Sequence, residues 1–575
     1  MKRKSNTSSL LPPQQWLRQY DRRQFLEDLL AGCITAALLI PQGLAYAILA
    51  GLPPQVGLYA SILPPLIYAL LGTSRTLSVG PVSVAALLVA NAIGGAPEQQ
   101  YLADALLLAF LSGAVLLFLA LLRLDVLVNF ISHPALSGFI SAAAVLIILS
   151  QLGNLLGIAV PAGAGYEMLM AVAGQVGDVH VLTAALGLFG ILAIALFNAP
   201  VVRLLVSAGV DESHAKVISR IGPLALVVAL TAIAAGLNLD QRGLAVIGSV
   251  PSGLPQVGWD FLQYERALQL LPSAILISII SYVESVSIAK AFAHRRRQKI
   301  NNNQELVALG ASNIAASFTG GMPVAGSFGR SSVNFTAGAQ TQIAGVIAAL
   351  WVALVALFFT HWFYYLPKMA LAAVIILAVV RLFDWRAFVN AYRFDRADGL
   401  TLLATFFGVL GLGIELGLLL GVIVALAAFL WRSSRPHVVI VGRVPGTSHF
   451  RNQDRHRAET WPHLLLLRVD RSLFFANMNY VEDLVAERAA EEPELEHLVL
   501  ICSAVNSIDY SALEILEQLT SNLRDAGITV HLAEVKGPIL DRLQRHGMEE
   551  WFAPGKIFFS TEEAVEYLTG ASRPV

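Results

Sequence analysis

The chain has 575 residues, of which 56% are apolar and only 14% charged, with a formal net charge of −1 and a mean hydropathy of +0.65. A soluble protein carries about 25% charged residues, so an ordinary soluble globular protein is excluded, and nothing in the charge pattern points to nucleic acid. Two cysteines, Cys33 and Cys502, lie far apart in the chain and support neither a disulfide framework nor a metal site.

The N-terminal stretch MKRKSNTSSLLPPQQW is basic, but no short apolar segment with a small-residue cleavage site follows it. Residues 1–27 therefore read as a cytoplasmic segment and not as a cleaved signal. From Asp28 to Arg75 there is no charge, and similar gaps recur as far as Arg432. This interval, 28–432, reads as a transmembrane transport domain. Fourteen spans are predicted, at 28–50, 54–72, 79–93, 101–122, 131–154, 180–198, 219–237, 268–291, 304–319, 327–338, 341–363, 368–383, 396–412 and 414–432. Several fall short of the ~20 residues of a full crossing. With the N-terminus inside, the cytoplasmic loops hold Arg75, Arg123, Arg203, Lys216, Arg220, the cluster Arg295 to Lys299, Arg381, Arg386, Arg393 and Arg396. The opposite loops hold Arg242, Arg266 and Lys368, a strong positive-inside bias that puts both termini in the cytoplasm.

In the first span, Pro41 is expected to break or kink the helix. Gln42 then offers amide donors at the break, and Tyr46, one turn on, shares its face; Tyr46 either contacts substrate or packs between helices. The third and tenth spans are short and share a pattern. SVGPVS from Ser78 matches SFGRSS from Ser327, with Ser, Gly and Ser at equivalent places. They stand seven spans apart, and an odd separation inverts the topology. Short, Gly/Pro-interrupted segments at corresponding positions of two halves point to a transporter's substrate site.

A helix that starts inside the membrane leaves backbone N–H groups unpaired and carries partial positive charge there, which favours an anion. Ser78, Ser83, Ser327, Ser331 and Ser332 can cap or line such ends, while Gly80 and Gly329 allow close backbone approach. Pro81 suits a first helical turn. Arg330 is the sole Asp, Glu, Lys or Arg between Glu305 and Lys368, and adds a full charge to this cradle. It either binds an anion or pairs with Glu284, the one charge between Arg266 and Lys290. Glu284 in turn is either a fixed counter-charge or a group that takes up a proton with the substrate. Glu415 falls at a predicted turn in a solvated or capping role, and His133 and His361 read as interfacial.

From about His437 short apolar runs alternate with amphipathic segments. HVVIVGR, HLLLLRVD, HLVLICSA, ITVHLAEV and KIFFS read as strands; YVEDLVAERAAEE, SALEILEQLTSNLRDAG and GPILDRLQRHGM read as helices on one α/β layer, residues 437–570. Asp509 or Ser511 can cap the helix after NSIDY. No nucleotide-binding loop appears, so an ATP-driven pump is disfavoured, and no nucleophile–base pair suggests an enzyme.

At these residues the chain resembles the SulP (SLC26) family of anion transporters, of the sulfate permease type. The resemblance rests on PQGLAYAILAGLPPQVGLYASILPPLIYALLGTSRTLSVGPVSV, on SFGRSSVNFTAGAQTQIAG, and on a tail like a STAS domain. It implies a polytopic α-helical membrane protein of fourteen spans, a seven-plus-seven inverted repeat with UraA-like core and gate domains, and a cytoplasmic STAS domain. It also implies a homodimer in the inner or plasma membrane. By the same resemblance the anion site falls on Gln42, Tyr46, Val82, Gly329 and Arg330, with Glu284 as coupling residue; Gly80, Ser83 and Ser331 join them from the half-helix reading above. Val82 stands where several members have an aromatic residue, and Gly329 where several have serine. Ser511 is followed by Ala512, where bacterial anti-sigma antagonists have a phosphorylated serine and then glycine, so a capping role for Ser511 is expected. The expected substrate is a small inorganic anion, sulfate with a proton first, with sodium as the other coupling ion; no cofactor or metal is expected, and the STAS domain is a candidate site for a protein partner. Bicarbonate, chloride exchange and C4-dicarboxylates stay open, as do a nucleobase–proton symporter of the same fold and a membrane anion sensor that does not transport.

Overall fold

The computed structural model describes residues 12–13, 17, 20–124, 132–161, 163–197, 201, 203, 206–209, 211–255 and 257–570; the basic stretch expected at the extreme N-terminus lies outside them. The first helix starts at a reciprocal cap. Asp21 accepts from the Gln24 N–H at 2.7 Å, and its own N–H donates to the Gln24 side chain at 3.3 Å. From there run α1 (Arg22–Leu49), α2 (Gln55–Tyr59), α3 (Leu63–Leu71), α4 (Ser83–Ile93), α5 (Tyr101–Leu121), α6 (His133–Leu156), α7 (Gly165–Gly174), α8 (Val181–Phe197) and α9 (Glu212–Gly236). The second half continues with α10 (Tyr264–Arg295), α11 (Asn302–Phe318), α12 (Phe328–Thr336), α13 (Ile343–Phe358), α14 (Lys368–Val379), α15 (Trp385–Phe394), α16 (Arg396–Leu412) and α17 (Ile414–Ser434).

Each predicted span has its helix, with three differences. The second span is two pieces, α2 and α3. Two further short helices, α7 and α15, fill connections that were read as loops. The first helix passes through Pro41 unbroken; proline there removes one backbone bond, to the carbonyl of Ala37, without ending the helix. Gln42 accordingly sits on a continuous helix face and not at a break. Among the described residues, α1, α5, α6, α10 and α17 are long and apolar enough to cross a bilayer alone.

Close backbone approach holds the bundle together. A Cβ on Gly57 would fall 1.8 Å from the Gly43 carbonyl oxygen, and one on Gly113 would fall 2.6 Å from that of Gly310. Only glycine lets α1 meet α2, and α5 meet α11, at this distance, which is the way small residues serve packing inside membranes. The helices sort into two packing groups: α11 lies on α5 and α3, α10 on α5, and α12 and α13 on α1; α6 lies against α14 and α16, and α8 against α9 and α14.

The chain divides into two compact units, Met1–Ala425 and Leu426–Val575. In the second, β3 (Val438–Arg443), β4 (Phe450–Asn452), β5 (Leu464–Val469), β6 (His497–Ile501), β7 (Thr529–Ala533) and β8 (Ile557–Phe558) form one sheet in the order β4-β3-β5-β6-β7-β8. β5 to β8 are parallel, and β3 is antiparallel to both neighbours. Helices α18 (Met478–Glu491), α19 (Tyr510–Asp525) and α20 (Gly537–Arg545) were expected; α21 (Met548–Phe552) and α22 (Thr561–Thr569) were not. Burial on both faces explains the unbroken LLLL of β5: Leu465 and Leu467 face α18 to α20, while Leu464 and Leu466 join Val439, Val499 and α22. Asp509 caps α19, accepting from Ala512 N at 2.8 Å. Ser511, expected in a capping role, lies inside the first turn, exposed.

A histidine pair sits in this sheet, His531 buried and His497 partly exposed. The Lys556 N–H donates to Nδ1 of His531 at 3.1 Å, which leaves Nε2 to carry the proton toward Nδ1 of His497 at 3.3 Å. Burial first, then the neighbouring His497 and Lys556, push the His531 pKa down to about 4. In the unfolded chain the imidazole titrates near 6.5, so on acidification the unfolded state binds the proton first. The stabilisation is complete above about pH 6.5 and is lost as the pH falls from there toward 4, by about 2 kcal/mol at pH 5. Hydrogen exchange of the β6 and β7 amides from pH 7.5 to 5 is expected to show this loss in the wild type and a smaller one in His531→Gln.

Candidate functional site

Two short strands meet at the centre of the helical unit. β1 (Val79–Gly80) pairs antiparallel with β2 (Ala325–Gly326), Val79 opposite Gly326 and Gly80 opposite Ala325. The Ser327 N–H donates to the Ser78 carbonyl at 3.0 Å and continues the ribbon. Half-helices α4 and α12 start where the strands end, so two helix N-termini open side by side.

Extended backbone among apolar helices must have its polar groups satisfied by protein, and side chains from four elements do this. The Gly326 N–H donates to Ser285 of α10 at 2.8 Å. Asn313 of α11 takes the Val324 N–H at 2.9 Å and donates to its carbonyl at 3.0 Å. Gln342 donates to the carbonyls of Ser74 and Leu77, and Asn334 of α12 donates to that of Thr76. These residues were not singled out from the sequence. The available signal was amide and hydroxyl side chains inside otherwise apolar segments.

Arg330 stands in the first turn of α12 and is fully buried. Its Nη1 donates to the Pro81 carbonyl at 2.8 Å and faces Gln42 Oε1 at 3.4 Å. Nε and Nη2 have no partner among the described residues. Orphaned donors on a buried guanidinium are costly, and Nε with Nη2 is the edge that grips two oxygens of one oxyanion. Beside it, no side chain caps α4, whose N-cap is Val82, so its first N–H groups are open to an anion as well.

The structure brings most of the expected residues together. Gly80 makes room for the arginine: a Cβ there would lie 3.3 Å from Arg330 Nη2 and from Leu39. Tyr46 is buried, with its hydroxyl turned to Ser83 and within electrostatic reach of Arg330 and Glu284. Val82 packs on Ala85 and Ala325. Glu284, half-buried on α10, interacts with Arg330 through space, and among the described residues it has no hydrogen bond or ion pair. The direct Arg330–Glu284 pair is therefore not formed.

Other placements differ from expectation. Ser331 is buried and accepts from the Ser78 N–H at 2.9 Å, so its oxygen serves the ribbon. Gly329 is exposed, with nothing within 4 Å of where a Cβ would be. Pro81 lies before the α4 N-cap, outside the helix, and contributes its carbonyl. Ser327, as expected, caps α12, its oxygen 3.5 Å from the Arg330 N–H. Glu415, in the first turn of α17, accepts from Ser273 at 2.6 Å.

Comparison with known proteins decides what this geometry belongs to. Residues 25–405 match the sulfate permease family and 456–564 the STAS domain. The chain belongs to the sulfate permease family. It is 32% identical over 97% of its length to high affinity sulfate transporter 2 of Stylosanthes hamata, covering 86% of that protein. It is 35% identical over 96% of its length to a probable sulfate transporter of Mycobacterium tuberculosis, covering 96% of that protein. Its fold is that of murine Slc26a9, an anion transporter, with a TM-score of 0.88, 21% identity, and coverage of 99% of this chain and 97% of that one. The transmembrane domain of the cyanobacterial bicarbonate transporter BicA covers 71% of this chain, and 98% of its own length, with a TM-score of 0.59 and 23% identity. This sulfate permease family member is thus a polytopic helical membrane transporter with a C-terminal STAS domain, and not an enzyme.

The open edge of Arg330 depends on the absent side chain at residue 80. Gly80→Val is expected to crowd the guanidinium and weaken oxyanion binding by about tenfold or more, while Gly329→Ala, which meets no atom, leaves binding within about twofold. Calorimetric titration of sulfate into the purified protein checks both.

Proposed function

We propose that the chain is a secondary active transporter of sulfate, moving the anion together with a proton. The observation that carries this reading is Arg330, fully buried yet with Nε and Nη2 unpartnered beside an uncapped half-helix. Two parallel donors match two oxygens of sulfate, and the α4 N–H groups complement its remaining charge. A neutral nucleobase would leave that charge uncompensated. Gln42 and Tyr46 line the approach, and Gly80, Val82 and Ser83 shape it; Gly329 lies at its open side and Ser331 holds the wall.

Glu284 supports proton coupling. A carboxylate held near the anion, with its acceptor sites free, can take a proton as the anion enters and release it as the anion leaves. Relatives named as sulfate transporters, at 32–35% identity, favour sulfate among the oxyanions. The loop-charge bias favours cytoplasmic termini, and the matched motifs at Ser78 and Ser327 favour two inverted repeats. A homodimer and a protein partner for the STAS domain belong to the same reading.

Uptake of labelled sulfate into proteoliposomes, under imposed pH and sodium gradients, tests the proposal. Accumulation is expected with an inward proton gradient and not with sodium alone; a failure to accumulate sulfate under any of these gradients would end it. Arg330→Ala is expected to abolish binding and uptake. Glu284→Gln is expected to keep binding within about tenfold while its uptake loses dependence on the proton gradient.

A further inference from the structure

The helix α15 has none of its residues fully buried. It sits between two spans, with five residues separating it from α14 and one from α16, so it must lie at the surface of the bilayer. Trp385, Phe388, Val389 and Tyr392 recur at the spacing of one helical face, and Arg386, Asn390 and Arg393 at that of another. Trp385 is 67% exposed, Tyr392 57% and Phe394 91%. Across residues 380–396 four arginines stand against two aspartates. Asp384 accepts from the backbone N–H groups of Arg386 and Ala387, and Asp395 accepts from that of Ala397 among its contacts. The guanidiniums of Arg386 and Arg393 have no partner among the described residues.

The helix is also firmly mounted. Phe388 packs edge-on against Phe406 of α16 at 5.2 Å, and a Cβ on Gly399 would fall 2.7 Å from the Tyr392 Cα. Whatever holds α15 therefore holds α16, and through it α6. The helix α7, which links α6 and α8, makes an internal contrast. It exposes Tyr166, Leu169 and Met170 but carries Glu167 and no basic residue. One interfacial helix is basic and the other is not.

We propose that α15 is a docking helix for anionic phospholipid: its exposed Trp385 and Tyr392 enter the headgroup boundary and Arg386 and Arg393 hold lipid phosphates, anchoring the α6–α14–α16 group to one leaflet. Aromatic and arginine side chains at this depth suit the interface, and basic residues near an anionic leaflet each add to its attraction. The assignment of that leaflet as cytoplasmic rests on the topology proposed above.

The test uses the full-length protein in detergent, titrated with phosphatidylglycerol or phosphatidylcholine, with the thermal unfolding midpoint as readout. Phosphatidylglycerol is expected to raise the midpoint and phosphatidylcholine is not. The pair Arg386→Gln with Arg393→Gln is expected to need about 30-fold more phosphatidylglycerol for the same rise. Arg386→Lys with Arg393→Lys, which keeps the charge, retains the response within about threefold, and Glu167→Gln in α7 leaves it unchanged. An equal response to both lipids in the wild type, or a full response in the Gln pair, overturns the proposal. So does a change of oligomeric state in the Gln pair with the lipid response intact, which would make α15 a protein interface. Because the readout needs no sulfate, a chain that transported nothing would still decide this question.

Discussion

A backbone that leaves helical geometry among apolar helices must find hydrogen bonds inside the protein, and the centre of this structure is arranged around that requirement. The ribbon of Val79–Gly80 with Ala325–Gly326 satisfies part of the backbone. Ser285, Asn313, Asn334 and Gln342 take up much of the rest. Because these side chains come from α10, α11, α12 and the start of α13, the ribbon fixes those elements relative to one another. Only then can two half-helices begin side by side, and only then does the Pro81 carbonyl reach one nitrogen of Arg330 and leave two free. The open guanidinium edge is a consequence of how the ribbon is satisfied.

The carboxylates of the helical unit show the same logic by contrast. Glu305, wholly buried, accepts from the Tyr68 hydroxyl, from the N–H and hydroxyl of Thr73, and from the Ser74 N–H. Asp28, also wholly buried, accepts from Tyr20, from the Gln340 and Thr341 N–H groups, and from the Thr341 hydroxyl. Asp104 is gripped at both oxygens by Arg266. Each of these ties one part of the bundle to a distant part of the chain. Glu284 has no such bonds among the described residues, so its place near Arg330 is not explained by holding helices together.

Much of this was legible in the sequence, and the limits have physical causes. The fourteen spans follow from apolar runs between polar breaks, and the β5 and β6 strands from apolar stretches that suit a sheet buried on both faces. The match between SVGPVS and SFGRSS pointed to the two half-helices, because serine and glycine there answer a local need. The ribbon was not legible: two residues per strand carry no periodicity, and the partners, Val79 with Gly326 and Gly80 with Ala325, come from opposite halves of the helical unit. Pro41 misled because a missing N–H removes a single bond, which neighbouring helices can compensate. Ser331 and Ser511 misled because composition shows that a hydroxyl is present without showing which backbone group claims it. The helices α7 and α15 escaped notice because each is only ten residues long, too short for the apolar count of a span to apply.

The division of the bundle into two packing groups explains where the site can be. Helices α1 and α4 carry Gln42, Tyr46, Val82 and Ser83, and they are also helices through which the groups meet, α1 against α14 and α9, and α4 against α6. The ribbon, Arg330 and Glu284 all lie within one group, tied by glycine contacts too close to slide without separating. A displacement of one group against the other would therefore change who can reach the Arg330 edge while leaving its donors in place. Access and affinity can vary independently in such an arrangement. That independence is what a carrier requires, since it must open the same site to two sides without rebuilding it.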